Sequence, residues 1–364
     1  MADSSNMFST DADIRLLRDA ARGMLAQKWP AAQAVSASQQ PDALRRIWQD
    51  LARQGWLVLG SDPDSSGLRH ASVLFDELGR AGCPAPLIDA FLANVILSHV
   101  ADQGQTVGKL VSDLHEGAAA ISIALGPLDD DPNGGRVVVN DDKSGAAISG
   151  TVSFVEGTPI ASHLLVLTGR AAEVAIVPTD ARGVTITETQ GYSNPPLASV
   201  AFAAAPVTLH RCEMNDLAAV VRIARIGLAA RALGAVSRGF DMIVEYAKVR
   251  TQFGKKIGQY QAIQHKLANC LMGIDISRLA IDRAAATFDR SGADWSYAAG
   301  VAISVASPAL RQAVLETHHA FGGVSFWEEH EMPRHFRRVH ADLARCGGVH
   351  AARRDVAACL LDDA

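Results

Sequence analysis

The chain changes its local pattern twice along its length, and this order of segments limits the possible folds more than any other feature. From Asp11 to about Gly117, apolar residues recur at the spacing of amphipathic helices. From about Ala118 to Glu213, short runs rich in Val, Ile and Thr alternate with Gly, Asp, Asn and Pro, which is typical of a small antiparallel sandwich or barrel. Helical spacing returns from about Asp216 to the end.

This order predicts a mainly α protein with a central β domain. We place an N-terminal helical domain at 1–117, a middle β-barrel or sandwich at 118–215, and a C-terminal helical domain at 216–364. The 364 residues fit several domains, because a single core stops growing at roughly 250–300 residues. Neither a GxGxxG after a strand nor a GxxxxGK[ST] motif occurs, so the sequence supports neither a Rossmann site nor a P-loop.

Charge and cysteine usage exclude several classes of protein. The net charge of −5 gives no electrostatic reason to expect nucleic acid or an anionic membrane as a partner. The five cysteines are odd in number, widely spaced and without a CxxC, which argues against a disulfide framework and a zinc site. The N-terminus MADSSNMFST is polar and lacks the apolar core of a signal peptide. We therefore expect a cytoplasmic protein.

The segment Tyr246–Leu267 carries the clearest chemical signal. It reads YAKVRTQFGKKIGQYQAIQHKL, which predicts a helix end, a glycine-bounded turn and a new helix. Arg250 offers a planar fork of donors that suits a diphosphate, and two lysines add positive charge beside it. The alternative is a solvated basic elbow with Phe253 in the core.

The motif R-x-Q-F-G-K-x-I-x-x-x-Q-A-I-Q, together with the helix, strand, helix order, resembles the acyl-CoA dehydrogenase family over nearly the whole chain. Other stretches resemble the family's three domains: WQDLARQGWLVLG at Trp48–Gly60, DELGR at Asp76–Arg80, ISGTVSFVEGTPIASHLL at Ile148–Leu165, and AFGGVSFWEEHEMPRHFRR at Ala320–Arg338. The last is similar to a bacterial branch, some of whose members act on steroid-derived acyl-CoAs. The resemblance implies that the C-terminal domain is a four-helix bundle.

The resemblance also implies an FAD cofactor that lies extended between subunits, an acyl-CoA substrate, and an electron-transfer flavoprotein or similar acceptor. In the family, one subunit supplies the Arg-x-Gln-Phe segment, which reaches the diphosphate and adenosine part of the FAD, and the Gly-Gly turn of the last domain contributes too. Carried over residue by residue, the cofactor-binding residues expected here are Arg250, Gln252, Phe253, Gln261, Gly322 and Gly323.

The sequence departs from the family at the catalytic base. The family reaction needs a desolvated Glu that takes the α proton of the thioester while the flavin accepts a hydride. The two positions where the family places this Glu correspond to Cys346 and Ala224. Neither residue replaces a buried carboxylate, and we expect Cys346 to be a buried structural cysteine rather than a substitute base. No catalytic residue is assigned.

Two further departures concern the flavin ring. The family's Trp-x-Thr pair corresponds to Phe154 and Glu156, and a Glu beside a reduced anionic flavin would be repelled. The substrate-holding loop is replaced by GPLDDDPNGG at Gly126–Gly135, whose contiguous aspartates suit a solvated loop better than a calcium site.

The sequence thus keeps the residues that one subunit contributes to the FAD site of its neighbour. It lacks the residues that would contact the flavin ring of its own subunit and abstract the α proton. This pattern resembles the base-lacking subunit of bacterial α2β2 acyl-CoA dehydrogenases, whose paralogous partner carries the Glu. Two alternatives remain open. One is a flavin-dependent monooxygenase of the same fold, and the other is a scaffold subunit that binds no flavin.

Other polar groups support no further site. The spacing of His330, His335 and His340 does not align them on one helix face, so we expect no metal. The basic cluster of Arg334, Arg337 and Arg338 indicates a solvated helix face or, as an alternative, a contact with a partner subunit. Asp241 and Glu245 precede Arg250 but do not lie where the family needs a base.

Overall fold

The structure, a computed structural model, describes residues 11–62, 67–101, 104–125, 135–142, 145–170, 172–189, 196–214 and 217–362. Within these ranges, six α-helices precede the first strand: α1 (Asp11–Lys28), α2 (Ala31–Ser38), α3 (Pro41–Arg53), α4 (Leu68–Ala81), α5 (Leu87–Ser98) and α6 (Gln105–His115). Helical spacing explains which faces are buried. In α3, for example, Leu44, Ile47 and Leu51 form one apolar stripe against the core.

Two four-stranded sheets follow within the described residues. Their strands are β1 (Ile121–Ala124), β2 (Gly135–Asp142), β3 (Gly145–Val155), β4 (His163–Leu167), β5 (Glu173–Pro178), β6 (Val184–Glu188), β7 (Ala198–Pro206) and β8 (Thr208–Arg211). One sheet has the order β1-β4-β5-β8, with β1 parallel to β4, and the other has the antiparallel order β2-β3-β7-β6. Both contribute to one apolar cluster. The region is a sandwich, and the described strands do not close into a barrel.

The chain returns to helices in its last part, as the sequence predicts. These helices are α7 (Ala219–Val249), α8 (Gln261–Asp289), α9 (Trp295–Phe321), α10 (Met332–Ala344) and α11 (Gly348–Asp362). A hairpin of β9 (Thr251–Gln252) and β10 (Lys255–Lys256) connects α7 to α8. Helix α9 packs against α7, α8 and α11, and α10 packs against α7, which confirms the predicted helical bundle.

The N-terminal and C-terminal helices share one core, because α4 crosses α7 at very short range. A Cβ added to Gly79 would lie 1.9 Å from the carbonyl oxygen of Arg231, and one added to Gly234 would lie 1.7 Å from that of Asp76. Only glycine allows the two backbones to approach this closely. The crossing places the middle of α7 next to the end of α4 and fixes the groups that α7 carries.

Buried carboxylates of the DELGR stretch on α4 tie neighbouring helices together. Asp76 accepts hydrogen bonds from Arg18 at 2.6 Å and from Arg278 at 2.7 Å, which joins α1 and α8 to α4. Glu77 accepts a bidentate pair from Arg22 at 2.7 and 3.0 Å. Buried carboxylates are stable when paired in this way.

The most apolar helical segment and the cysteines both belong largely to the interior. Among the described residues, one segment, Trp295–Phe326, is long and apolar enough by composition to cross a membrane, and 56% of its most apolar window is buried inside the protein. Its composition is therefore explained by its central place in the bundle. All five cysteines are free thiols, and all except Cys359 are buried.

Candidate functional site

The segment between α7 and α8 forms a short exposed hairpin. Strand β9 pairs with β10 in antiparallel register, and Phe253 and Gly254 make the turn between them. Both turn residues have positive φ, 51° for Phe253 and 81° for Gly254. Phenylalanine rarely adopts this region, whereas glycine does so readily. The Phe253 side chain is 93% exposed, so the alternative in which it lies in the core is wrong.

The base of the hairpin is held by specific hydrogen bonds. The hydroxyl of Tyr260 donates to the carbonyl oxygens of Gln252 at 3.0 Å and Phe253 at 3.1 Å. The amide of Ile257 donates to the carbonyl oxygen of Arg250 at 2.9 Å. These contacts fix the backbone around the turn, and the exposed ring of Phe253 therefore projects from an ordered support.

The hairpin surface is electropositive. Arg250, Lys255 and Lys256 are exposed, and none of them forms an ion pair within the described residues. The Lys255 ammonium lies 4.2 Å from the centroid of the Tyr260 ring. Gln261 begins α8, so the positive end of that helix dipole points toward the same region. Such a surface suits a phosphate or diphosphate.

The glycine pair Gly322–Gly323 directly follows α9. Gly322 has φ 68° and ψ −147°, a conformation that is essentially restricted to glycine. A Cβ added to Gly322 or Gly323 would meet no atom within 4 Å, so the backbone is open to an incoming group. The rings of Phe321 and Tyr246, the latter one turn before Arg250, have centroids 5.2 Å apart. This contact places the last turn of α7 beside the end of α9.

Two further aromatic side chains beside this site were not predicted. Phe326 and Trp327 follow the glycine pair, and both are exposed. Beneath them, the His318 ring contacts the rings of Phe326 and Phe336, each at a centroid distance of 4.7 Å. Exposed aromatic rings such as these are typical of a surface that another molecule covers. The sequence SFW at Ser325–Trp327 was the signal from which these aromatic side chains could have been predicted.

In contrast to the hairpin, Glu156 lies in the interior. Its carboxylate forms a bidentate pair with Arg231 on α7 and accepts a hydrogen bond from Arg345 at 2.6 Å. Arg231 in turn donates to both carboxylate oxygens of Asp342 on α10, at 2.9 and 2.7 Å. We call these four residues the ionic cluster. The negative charge of Glu156 is therefore neutralised by arginines. This pairing corrects the expectation that Glu156 would repel a reduced anionic flavin as a free anion.

The ionic cluster sets the protonation of its carboxylates. Burial would raise the pKa of Glu156, but the guanidiniums of Arg231 and Arg345 outweigh burial and lower this pKa to about 2. On α5, burial and the neighbouring charge of Glu156 raise the pKa of Asp89 to about 8. Asp89 is therefore mainly protonated at neutral pH. Glu156 is too weak a base to abstract a carbon-bound proton. Asp89 does not accept a proton at neutral pH because its carboxyl group already carries one.

Sequence reasoning missed Arg231, Asp342, Arg345 and Asp89. The signal for Arg231 was its place inside GLAARALGA, because a charged residue within such an apolar helix is normally buried and paired. The signal for Asp89 was similar, since it interrupts the apolar run PAPLIDAFLANVIL. Their partners lie far away along the chain and could not be assigned from spacing.

The two positions at which a catalytic Glu was sought are both buried. Ala224 lies inside α7, and Cys346 follows α10 with φ 57°. The carbonyl oxygen of Cys346 accepts a hydrogen bond from Arg225 at 2.6 Å, and Arg225 also pairs with Asp355 on α11. The Cys346 segment is thus anchored in the bundle. Its burial agrees with a structural cysteine.

The basic cluster on α10 is not a solvated face. Arg334 and Arg338 are buried, and only Arg337 reaches the surface, where it pairs with Glu328. The expectation of a solvated face is therefore wrong for two of the three residues, and these two are equally closed to a partner. Packing explains the burial of Arg334, because its side chain lies against Gly82, the residue that follows α4. A Cβ added to Gly82 would lie 2.9 Å from the Nε atom of Arg334.

The remaining predicted positions carry no additional chemistry. Phe154 has φ 63° at a register shift between β3 and β7. Asp241 pairs with Arg80, and Glu245 pairs with Lys248 at 2.5 Å. In the part of the chain that the structure describes, no three His, Cys, Asp or Glu side chains converge as metal ligands. Most of the Gly126–Gly135 loop lies outside the described residues.

Comparisons with known proteins bear on this geometry. Residues 217–359 match the family model described as the acyl-CoA dehydrogenase C-terminal domain. The acyl-CoA dehydrogenase FadE34 of Mycobacterium tuberculosis is 30% identical over 323 residues, which cover 84% of this chain but 41% of FadE34. The acyl-CoA dehydrogenase IpdE2 of the same organism is 26% identical over 335 residues, covering 90% of each chain.

Solved structures show the same fold. A chain of the Tcur3481–Tcur3483 steroid ACAD superposes with a TM-score of 0.84 at 24% identity, covering 97% of this chain and 98% of that one. A chain of the ChsE4–ChsE5 complex from Mycobacterium tuberculosis superposes with a TM-score of 0.84 at 21% identity, covering 98% and 99%.

Proposed function

The chain belongs to the acyl-CoA dehydrogenase family, and from this premise we propose that it is one subunit of an FAD-dependent enzyme that desaturates an acyl-CoA thioester between its α and β carbons. It lends FAD contacts to a paralogous subunit that carries the catalytic Glu, in a cytoplasmic α2β2 complex. An electron-transfer flavoprotein or a similar protein then accepts the electrons. The names of two similar structures, each joining two components, support a heteromeric enzyme.

The observation that carries this proposal is the contrast between the hairpin and the ionic cluster. The hairpin presents exposed cations and an exposed Phe253 on an ordered base. The interior holds Glu156 and Asp342 in complete pairing with arginines. The chain is thus equipped to contribute to a site on another subunit, whereas in its described interior Glu156 and Asp342 are paired with arginines and Asp89 is protonated at neutral pH.

The donor set fits FAD. The Arg250 guanidinium and the N-terminus of α8 would neutralise the diphosphate, and the open backbone at Gly322 and Gly323 would let it approach closely. Gln252 and Gln261 offer amide groups, and Phe253 offers an apolar face. When bound, FAD supplies the hydride acceptor of the reaction.

The role of this chain's own residues is binding and orientation. Tyr260 holds the two carbonyl oxygens at the hairpin tip, so Gln252 and Phe253 keep a fixed relation to Arg250. Fixed placement reduces the entropy that is lost when a cofactor or partner binds. The α proton is removed by the partner's Glu, because positions 224 and 346 here are Ala and Cys.

The substrate class follows from resemblance. The stretch Ala320–Arg338 is similar to members that act on steroid-derived acyl-CoAs, and one structure with the same fold is named a steroid ACAD. We therefore include a bulky, steroid-derived acyl-CoA in the proposal.

Co-expression with a base-bearing paralogue tests the proposal. The expected result is a flavin-containing complex that oxidises acyl-CoAs with ferrocenium, whereas this chain expressed without the paralogue gives no turnover. Brisk desaturation by this chain's own oligomer would contradict the division of labour. Oxygen uptake driven by reduced flavin would favour a monooxygenase instead.

The Arg250→Ala variant separates the proposal from a scaffold role. Loss of FAD from the complex is expected, and the matched control is Arg15→Ala, an exposed arginine on α1. Unchanged flavin occupancy in the Arg250 variant would indicate that the chain is a scaffold that binds no flavin.

A further inference from the structure

Arg338 on α10 is a buried cation without a hydrogen-bond acceptor. Its side chain is completely buried, and none of its three guanidinium nitrogens has a hydrogen-bond partner in the part of the chain that the structure describes. It forms no ion pair with any of these residues either. A guanidinium carries five N–H donors, and a buried charge that lacks partners is strongly destabilising. Such a group therefore indicates a bound partner.

The other buried arginines show that Arg338 is an exception in this fold. Arg225, Arg231 and Arg334 are also buried, and each of them donates hydrogen bonds to carboxylate or carbonyl oxygens. Arg334, on the same helix as Arg338, donates to a carboxylate oxygen of Glu331 at 3.1 Å. Close packing in the bundle is thus compatible with paired arginines, and it does not account for the unpaired guanidinium of Arg338.

The surroundings of Arg338 carry an excess of positive charge. Burial and the like charge of Arg231 lower the pKa of Arg338 to about 10, so its guanidinium remains protonated at neutral pH. The negative charges of Glu156 and Asp342 act in the opposite direction, which places Arg338 beside the ionic cluster. The two arginines and two carboxylates of that cluster balance each other, and Asp89 is neutral. Arg338 therefore adds one uncompensated positive charge.

A second buried donor lies one turn before Arg338 on the same face of α10. His335 is completely buried, and neither of its ring nitrogens has a hydrogen-bond partner among the described residues. Its Nε2 atom lies 3.7 Å from a carboxylate oxygen of Glu331, which is too far for a hydrogen bond. Burial lowers the pKa of His335 to about 4, so the ring is neutral at neutral pH. His335 thus offers one N–H donor and adds no charge.

We propose that Arg338 binds a small monovalent inorganic anion, of the size of chloride, at the inner face of α10. One negative charge equals the excess that remains beside the ionic cluster, and a halide ion accepts several N–H donors at once. The N–H group of His335 is a second donor close to this position. Because the site is closed in the folded chain, the ion is taken up on folding and stabilises the folded state in proportion to the logarithm of its concentration.

The dependence of thermal unfolding on chloride tests this site. The whole chain is melted in sodium chloride and in sodium gluconate at equal ionic strength, since the gluconate anion is too large for a closed site. The melting temperature should rise by about 2–4 °C for each tenfold increase in chloride above the dissociation constant, and it should not rise in gluconate. Arg338→Met should abolish the chloride dependence, because a neutral side chain needs no counter-ion.

Arg337→Met is the matched control. It removes the charge of the neighbouring arginine, which pairs with Glu328 at the surface, and it should keep the chloride dependence of the wild type. Equal melting temperatures of the wild type in the two salts would overturn the inference, and would indicate that neutral water molecules satisfy Arg338. A chloride effect of full size in Arg338→Met would also overturn it, because the ion would then bind elsewhere.

Anomalous diffraction locates the ion without any variant, so the test remains decisive if Arg338→Met does not fold. Crystals of the chain soaked in sodium bromide should show a bromide peak in contact with the guanidinium nitrogens of Arg338. Bromide peaks at surface side chains only would indicate an adventitious ion only and would contradict the site. Neither measurement involves FAD or the paralogue, so its outcome is independent of the proposed function.

Discussion

The hairpin at Arg250–Lys256 and the ionic cluster around Glu156 contain similar charged groups in opposite environments. In the hairpin, three cations are exposed and have no acidic partner in the part of the chain that the structure describes. In the cluster, Glu156, Asp342 and Arg231 are almost completely buried, and every carboxylate oxygen meets a guanidinium. The exposed cations of the hairpin are available to bind a ligand. The paired charges of the ionic cluster instead hold α7, α10 and the β domain together.

On the proposed function, this difference explains how the chain can contribute to a shared FAD site without completing a site of its own. A buried carboxylate works as a base when it has no cation partner and desolvation raises its pKa only so far that it is still ionised at the working pH. Glu156 is held ionised by two arginines, and Asp89 is held neutral by burial beside Glu156. The ionic cluster is therefore structural, whereas the exposed cations of the hairpin are available to a ligand.

The largest effect is expected from breaking the ionic cluster. Arg231→Met removes the shared cation, which leaves the buried Asp342 without its guanidinium and Glu156 with Arg345 alone, and this should lower the free energy of unfolding by about 3–5 kcal/mol. Urea denaturation of the chain measures this loss. Lys248→Ala, which breaks the exposed pair with Glu245, should cost about 0–1 kcal/mol. If both variants lost a similar free energy of unfolding, the buried ion pairs would contribute no more to stability than an exposed one.

The next effect concerns the hairpin. Arg250→Ala should weaken FAD binding by the complex by about 2–4 kcal/mol, because a charge-assisted pair with a diphosphate is lost. Its free energy of unfolding should stay within about 0.5 kcal/mol of the wild type, since the side chain is exposed. Flavin titration and urea denaturation of the same variant separate the two quantities. Strong destabilisation would instead assign Arg250 to the core.

The pH dependence of stability reports on Asp89, the buried carboxyl group beside the ionic cluster. The pKa of Asp89 is about 8 when folded and lower when unfolded, so the folded state binds more protons and loses stability as pH rises toward 8. Between pH 6 and 8 the wild type should lose about 2 kcal/mol relative to Asp89→Asn, which mimics the protonated carboxyl. Parallel curves for the two proteins would show that Asp89 does not titrate in this window.

The smallest effect is expected at the hairpin tip. Phe253→Ala should weaken assembly with the paralogue by about 1–2 kcal/mol, because an exposed aromatic ring is a frequent interface anchor. Leu16→Ala, which truncates an exposed apolar side chain on α1, is the matched control. Sedimentation of mixed subunits gives both values. Equal affinities for the two variants would show that the exposed ring of Phe253 contributes nothing to the contact.

The sequence predicts the order of elements and the position of the hairpin because both depend on local pattern. Apolar spacing marks the helices, and the glycines around Arg250 mark the turn. It does not predict which charges face inward. Arg337 and Arg338 are neighbours of one type, and only packing against other elements makes the first exposed and the second buried. Glu156 and Arg231 are 75 residues apart, so no spacing rule pairs them.

The stoichiometry of flavin in the purified heteromeric complex tests the central claim most directly. We expect one FAD for each pair of unlike subunits, and loss of that FAD when Arg250 of this chain is changed to Ala. Two FAD molecules per pair, with one of them insensitive to that change, would show that this chain also completes a flavin site of its own and would contradict the account.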